Sequence, residues 1–519
     1  MAVERSCQGR RSPGGAGRAS SRRRLPGGGG AARRAVHAAV AAALAALALA
    51  ALLALSGCAT YSARMADLRP SLARGDFDGA LKLVTDKGGS DPLLAWLERG
   101  LILHYADRYA ESNEAFAAAE RTAAERFDRT LAEGAVSLLV SDASVAYRPR
   151  PYEMALVPYY KALNYAWLGQ PDEAAVEARA ASQLLARYVD ATLGAVRDED
   201  RGELTRVRND AFLLWFSGML YESDGELNDA FVAYRNAAVA FEQNAGLLDL
   251  EAPPALAADL ARTAERLGFT AELEEAAQAC PRVFAGVADT TGGLAALRAA
   301  SRRRPGEGEL VLLVETGFVP PLGQVRLDFP VFRHADYDDR DGWAWSLYGH
   351  RGDYAAWSTG REIEYWVSVA APELEDDTPP PYAGVRGDAG TAGGHATGVR
   401  AGNLARAARV TFDAEKPTIF FRTILRGLAK YLASRGAASA GKGVGQLVNL
   451  LGAVTERADT RSWLTLPGRI EVLRFTLPAG AHDVKLELLG PDGRVAAERT
   501  LPGVVVRPGG WTFESRRVF

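Results

Sequence analysis

The sequence predicts an α+β, multidomain chain: an N-terminal α-helical solenoid followed by a β-rich, sandwich-like domain with a helical insertion. Three observations carry this reading. Residues 58–300 are rich in Ala, Leu, Glu and Arg, with apolar residues at helical spacing. Alternating, β-branched runs replace that texture after Arg304-Pro305-Gly306-Glu307-Gly308, which marks the boundary to residues 306–519. Helical spacing then returns over residues 417–452, inside the β-rich part.

Residues 1–57 read as an export signal. Nine arginines and one acid, Glu4, fall within residues 1–34, and an unbroken Ala/Leu run from Ala38 to Leu55 leads into Leu55-Ser56-Gly57-Cys58. The basic flank stays cytoplasmic, the apolar run enters the bilayer, and small residues before the cysteine admit a peptidase. Cys58 is therefore expected to become the lipidated first residue, with two or more acyl chains supplying stable anchorage. An uncleaved membrane anchor is the alternative. Without residues 1–34 the chain holds 52 basic and 63 acidic residues, a formal charge of about −11, which argues against nucleic acid as a partner. With Cys7 in the leader and Cys58 lipidated, Cys280 has no disulfide partner and is read as a small buried hydrophobe.

In the helical part, Gly75, Asp107, Gly169 and Gly225 mark turns, 32, 62 and 56 positions apart. Similar small and large residues follow each: Phe77 and Ala80; Tyr109, Ser112, Phe116 and Ala119; Ala174, Ala178 and Ala181; Leu227, Ala230, Tyr234 and Ala237. Trp96 with Gly100, Ala162 with Tyr165, and Gly218 with Tyr221 precede three of the turns. The pattern resembles degenerate tetratricopeptide repeats, in which small residues let paired helices approach and aromatics fill the gap beyond. An irregular helical bundle is the alternative. Ala146-Tyr147-Arg148-Pro149-Arg150-Pro151-Tyr152 is expected to be a loop, with the next helix established by Pro158 and running to Trp167.

Strands are expected at Leu310–Val314, Glu362–Val369, Ile470–Thr476 and Val484–Leu489, the last turned by Pro491-Asp492-Gly493 into Arg494–Thr500. An immunoglobulin-like sandwich is the expected arrangement. Residues 370–403, with their acids, prolines and glycines, read as a disordered loop. Pro417 is expected to start the inserted helix, whose Ile419, Phe420, Ile424, Leu425, Leu428 and Tyr431 or Leu432 form a stripe, with Arg422, Arg426 and Lys430 interleaved, read as packing against other helices rather than membrane.

Catalytic and metal motifs fail on spacing. Gly436-Ala437-Ala438-Ser439-Ala440-Gly441-Lys442 lacks the Ser or Thr that would hold magnesium, because Gly443 follows. Asp336-Tyr337-Asp338-Asp339-Arg340-Asp341-Gly342 lacks the alternation and the closing acid of a calcium loop. Histidines 104, 334, 350, 395 and 482 show no ligand spacing. No enzyme activity, metal or cofactor is expected. One constellation stands out: Asp459, Arg461 and Trp463 alternate, so an extended backbone puts them on one side. A structural ion pair with a buried tryptophan, locking helix to sheet, is weighed there against a binding site.

The run Ala458-Asp459-Thr460-Arg461-Ser462-Trp463-Leu464-Thr465-Leu466-Pro467, with Ile470, Arg474, Leu477-Pro478 and Gly480, resembles the signature of an uncharacterised family of bacterial tetratricopeptide-containing lipoproteins. Glu315-Thr316-Gly317-Phe318-Val319-Pro320, Arg422 and Arg426 fit the same family, so the resemblance covers nearly the whole chain after Cys58. It implies a cell-envelope lipoprotein, sometimes encoded beside activators of peptidoglycan synthases, with no established activity. The expected function is a scaffold anchored in the outer membrane and facing the periplasm, binding other envelope proteins through its concave helical face. A glycan-binding or enzymatic module in the β-rich half, using acids and tryptophans between Asp336 and Trp357, is the rival reading.

Overall fold

The computed structural model describes residues 60–88, 91–132, 146–285, 292–302, 304–332, 363–376, 382–390, 394–438 and 457–519. Cys58, the leader, the acidic run at 336–342, the span 336–357 and residues 439–456 lie outside the described residues.

The class is α+β, with a helical N-terminal half and a β-rich C-terminal region. The helices begin with α1 (Tyr61–Arg64), α2 (Leu68–Ala73) and α3 (Phe77–Lys87). Three antiparallel hairpins follow: α4 (Pro92–Tyr105) with α5 (Tyr109–Ala132), α6 (Pro151–Trp167) with α7 (Pro171–Ala195), and, after α8 (Arg201–Arg206), α9 (Ala211–Ser223) with α10 (Leu227–Leu248). Helices α11 (Pro254–Leu267), α12 (Thr270–Ala279) and α13 (Gly293–Ala300) complete the half.

All four predicted turn residues, Gly75, Asp107, Gly169 and Gly225, have positive φ, the left-handed conformation that reverses a helical chain. Gly100 and Gly218 serve close approach instead. A Cβ on Gly100 would lie 2.5 Å from the Phe116 ring, and one on Gly218 would lie 2.4 Å from the Tyr234 ring. The α4–α5 and α9–α10 hairpins thus each pack an aromatic of the second helix directly on the backbone of the first.

The β-rich half forms three sheets. Strands β1 (Glu307–Thr316), β6 (Val399–Asn403), β7 (Arg469–Pro478) and β10 (Trp511–Val518) form one in the order β10-β1-β7-β6, with β1 parallel to β10 and antiparallel to β7. Strands β4 (Gly384–Asp388), β5 (His395–Thr397), β8 (Gly480–Leu489) and β9 (Val495–Val506) form a second, ordered β5-β4-β8-β9. A two-stranded ribbon pairs β2 (Leu322–Phe332) with β3 (Ile363–Leu374).

The wholly apolar run in β1 is explained by burial of both faces of its sheet. Leu310, Leu312 and Val314 join Val385, Val484, Leu486 and Leu488 in a core between the two four-stranded sheets. Val311 and Leu313 point the other way, into a core shared with the helices. Helices, central sheet and outer sheet therefore stack as three layers, and residues Thr60–Phe519 form one compact unit rather than two domains divided near residue 300.

Three further expectations are corrected. Residues 370–403 hold the end of β3 and all of β4, β5 and β6, so they are not a disordered loop. Gly387 serves close packing there: a Cβ on it would lie 2.6 Å from the Phe475 ring and 2.9 Å from Leu473. Helix α6 starts at Pro151, with Pro158 inside it, and Glu153 accepts from the Arg150 backbone N–H to cap it. The inserted helix, α14 (Leu404–Ala438), starts thirteen residues before Pro417 and contains it. Proline suits a first turn, and interior proline is tolerated where packing outweighs a cost of about 3 kcal/mol.

Candidate functional site

The Asp459–Arg461–Trp463 segment, which has no regular secondary structure, lies against α4 and α6. Asp459 and Arg461 close a two-pronged ion pair, with Nε and Nη2 each 2.7 Å from a carboxylate oxygen. Arg461 also reaches Asp91 at 3.3 Å and lies over the Tyr147 ring, 5.7 Å from its centroid. Asp91 is the N-cap of α4 and further accepts from the Tyr147 backbone N–H and from Arg126. Burial opposes ionisation of Asp91, but the Tyr147 and Arg126 hydrogen bonds outweigh it and hold the carboxyl below its usual range. Burial likewise works against the Arg461 charge, and Asp459 and Asp91 raise the guanidinium above its ordinary value.

Trp463 does not join this pair. Its ring is 1% exposed, set edge-on to Phe116 at 5.9 Å and to Tyr160 at 6.4 Å, and among the described residues its indole N–H has no hydrogen-bond partner. What fixes the segment is its backbone. The Trp463 N–H donates to Glu153 at 2.8 Å, and the Leu464 and Thr465 N–H groups donate to Glu98 at 2.7 and 3.2 Å. Glu98 also accepts from the Thr465 and Tyr61 hydroxyls, and Glu153 from the Tyr147 hydroxyl. Fully buried, Glu98 is pushed up to about 7 by desolvation, against the pull of these donors.

The motif at 146–152 belongs to the same clasp, since Tyr147 is buried and Arg150 donates to the Arg461 carbonyl at 3.4 Å. Two more buried acids repeat the device. Glu315 on β1 accepts from the Tyr105 and Tyr159 hydroxyls at 2.7 and 3.2 Å. Asp259 on α11 accepts from the Trp215 indole and from Arg262, and pairs with Arg474 of β7 at 3.1 Å. Arg474 also pairs with Glu309 of β1 at 2.9 Å and stacks over Trp511.

The face formed by α4, α6, α9 and α11, expected to be free and concave for partners, is thus filled from within by β1, β7, β10 and residues 457–467. Residues singled out in the sequence now have places. Arg474 is a helix–sheet tie, Ile470 and Leu477 are core, Phe318 lies under Arg69 and Arg517, and Arg426 is buried while Arg422 is exposed. Cys280 is buried at the end of α12, where desolvation pushes its thiol up to about 11.

Glu98, Glu153 and Asp259 were not singled out by the sequence, and Glu315 was named only within the run that carries the family resemblance. One signal was present: Glu98 sits within Leu93-Leu94-Ala95-Trp96-Leu97 and Leu101-Ile102-Leu103, an acid in a nearly all-apolar helix. Among the described residues no group of three His, Cys, Asp or Glu side chains is placed to hold a metal ion, and no helix is long and apolar enough to cross a membrane. Compared with protein-family models and with curated proteins, the chain matches none.

Outside the clasp, a cleft of about 590 Å³ opens between α4 and α5. Trp96, 37% exposed, lines it with Arg99, Arg121, Glu111 and Glu114.

Proposed function

We propose that this chain is a bacterial envelope lipoprotein, anchored through acylated Cys58 in the outer membrane and facing the periplasm, which acts as a scaffold for protein contacts in envelope or peptidoglycan assembly. One observation carries the reading. Tyr61, with two residues between it and the lipobox cysteine, is built into the body: its N–H donates to Thr460 at 3.1 Å and its hydroxyl to Glu98. Two residues of chain span at most about 7 Å, so acylation of Cys58 would hold the body against the lipid surface with almost no tether.

The positive-φ turns and glycine–aromatic contacts support tetratricopeptide-type hairpins, and the two sheets sharing one core support a sandwich-like β half. With the first-helix face filled from within, the partner surface lies on outward faces, and the Trp96 cleft combines an exposed aromatic with charges of both signs on its rim. The A-D-T-R-S-W segment, on this reading, is the internal tie by which members of the resembled family join their halves.

Mass spectrometry of protein made in its native cells tests the proposal. The expected product begins at Cys58 and carries acyl chains, and Cys58→Ser leaves it unacylated and out of the mature membrane fraction. An intact leader without acyl groups would remove the basis for both location and role.

A further inference from the structure

The C-terminal part of helix α14 carries three large apolar residues on its outside. Thr423, Arg426 and Gly427 are buried on one face, where a Cβ on Gly427 would lie 2.6 Å from Val369 and 2.8 Å from Val367. On the opposite face Phe421 is 63%, Leu425 38% and Leu432 65% exposed. At about 100° per residue these three lie within about 40° of one another, a stripe about 17 Å long. An exposed apolar stripe opposite a helix's packed face calls for a partner.

Two features identify it. From Lys416 to Ala438 the sequence holds no acid, in a chain that is otherwise acidic, and the exposed Arg422 stands about 100° round the helix from Phe421. The helix also starts its outward course beside the anchor point: the Ser62 hydroxyl donates to the Leu322 carbonyl at 2.9 Å, and Leu322 packs with Leu374, Phe412 and Ile419, two residues before Phe421.

We propose that the outward face of α14 rests in the interfacial layer of an anionic lipid surface, as a second, peripheral contact beside the acylated Cys58. The stripe enters the headgroup–acyl boundary and exposed Arg422, flanking it on the helix, meets lipid phosphates. This rests on the reading of Cys58 as the lipid anchor.

The test uses the full, natively acylated chain in vesicles of phosphatidylethanolamine with phosphatidylglycerol. In a Cys280→Ala background a nitroxide is attached at Leu425→Cys, at Leu432→Cys as a second site if the first disturbs the fold, and at Val505→Cys, 61% exposed, as reference. On vesicles the α14 labels are expected to lose collisions with a water-soluble nickel chelate several-fold and to gain collisions with oxygen, while the label at 505 does not change. Nickel access at the α14 labels equal to that at 505 overturns the inference, and so does spin–spin broadening between copies, which would make a second chain the occupant. The intact mass of the same sample separates the two failures: wet α14 labels on an acylated chain refute this contact alone, whereas a chain without acyl groups refutes the anchor and this contact together.

Discussion

At the scale of single residues, buried carboxylates serve as acceptors for backbone and side chains that come from far along the chain. Glu98 is the sharpest case, because it receives the N–H of Leu464, 366 positions away. Its folded value, about 7, is above that of an exposed glutamate. Between about pH 4.5 and 7 the folded chain then binds more protons at this site than the unfolded chain, so this contribution to stability is complete at low pH and is lost as pH rises through 7. Burial drives His104 the other way, down to about 4, so its contribution is lost as pH falls through 4. The two effects oppose each other and must be read by difference. Comparing denaturation midpoints of the native chain and Glu98→Gln at pH 5 and pH 8 does so: the native chain should lose ground to the variant as pH rises, and parallel curves would show that Glu98 does not titrate in this range.

At the scale of elements, the hairpins depend on missing side chains. Phe116 and Tyr234 occupy the space that Cβ atoms of Gly100 and Gly218 would need. Gly218→Ala should therefore destabilise the fold by about 1–3 kcal/mol despite alanine's better helix propensity. Gly246, also helical but with open space around it, should respond to alanine with a gain of about 0.5–1 kcal/mol. Urea denaturation of both variants checks the pair, and equal gains at the two sites would show that the close contact is not constraining. Elements were legible where local backbone demand speaks. The four turn residues with positive φ and the Pro491-Asp492-Gly493 turn, where Gly493 has φ 74 and Asp492 accepts from the Arg494 N–H, are such places. Prolines 158 and 417 misled because a proline reads as a helix start, and only the neighbours packed on the helix tell whether its cost is outweighed.

At the scale of the whole molecule, the central sheet joins the halves, with one face in the helical core and the other in the outer-sheet core. Arg474 ties these layers through Asp259 and Glu309, where the three side chains are only 11%, 1% and 7% exposed. Helices and sheets should therefore unfold together, with helical circular dichroism and tryptophan fluorescence tracing one curve. Arg474→Met, which takes one cation from each of two buried carboxylates, Asp259 and Glu309, should shift both signals together by about 3–5 kcal/mol. Two separated midpoints in the native chain would mean that the halves fold independently after all.

The sequence by itself determined the class, the succession of helical and β-rich regions and the hairpin turns, because each is a property of local composition, periodicity or backbone conformation. Only the tertiary structure decided that the two regions are one body, that the glycine-rich stretch after residue 370 builds sheet, and that the first-helix face is filled by the chain's own segment. The reason is physical: whether an acid, a glycine or a proline is an exposed loop feature or an internal fitting depends on what packs against it from hundreds of residues away. A sequence displays each residue beside its neighbours in the chain, and burial, which sets its role, comes from neighbours in space.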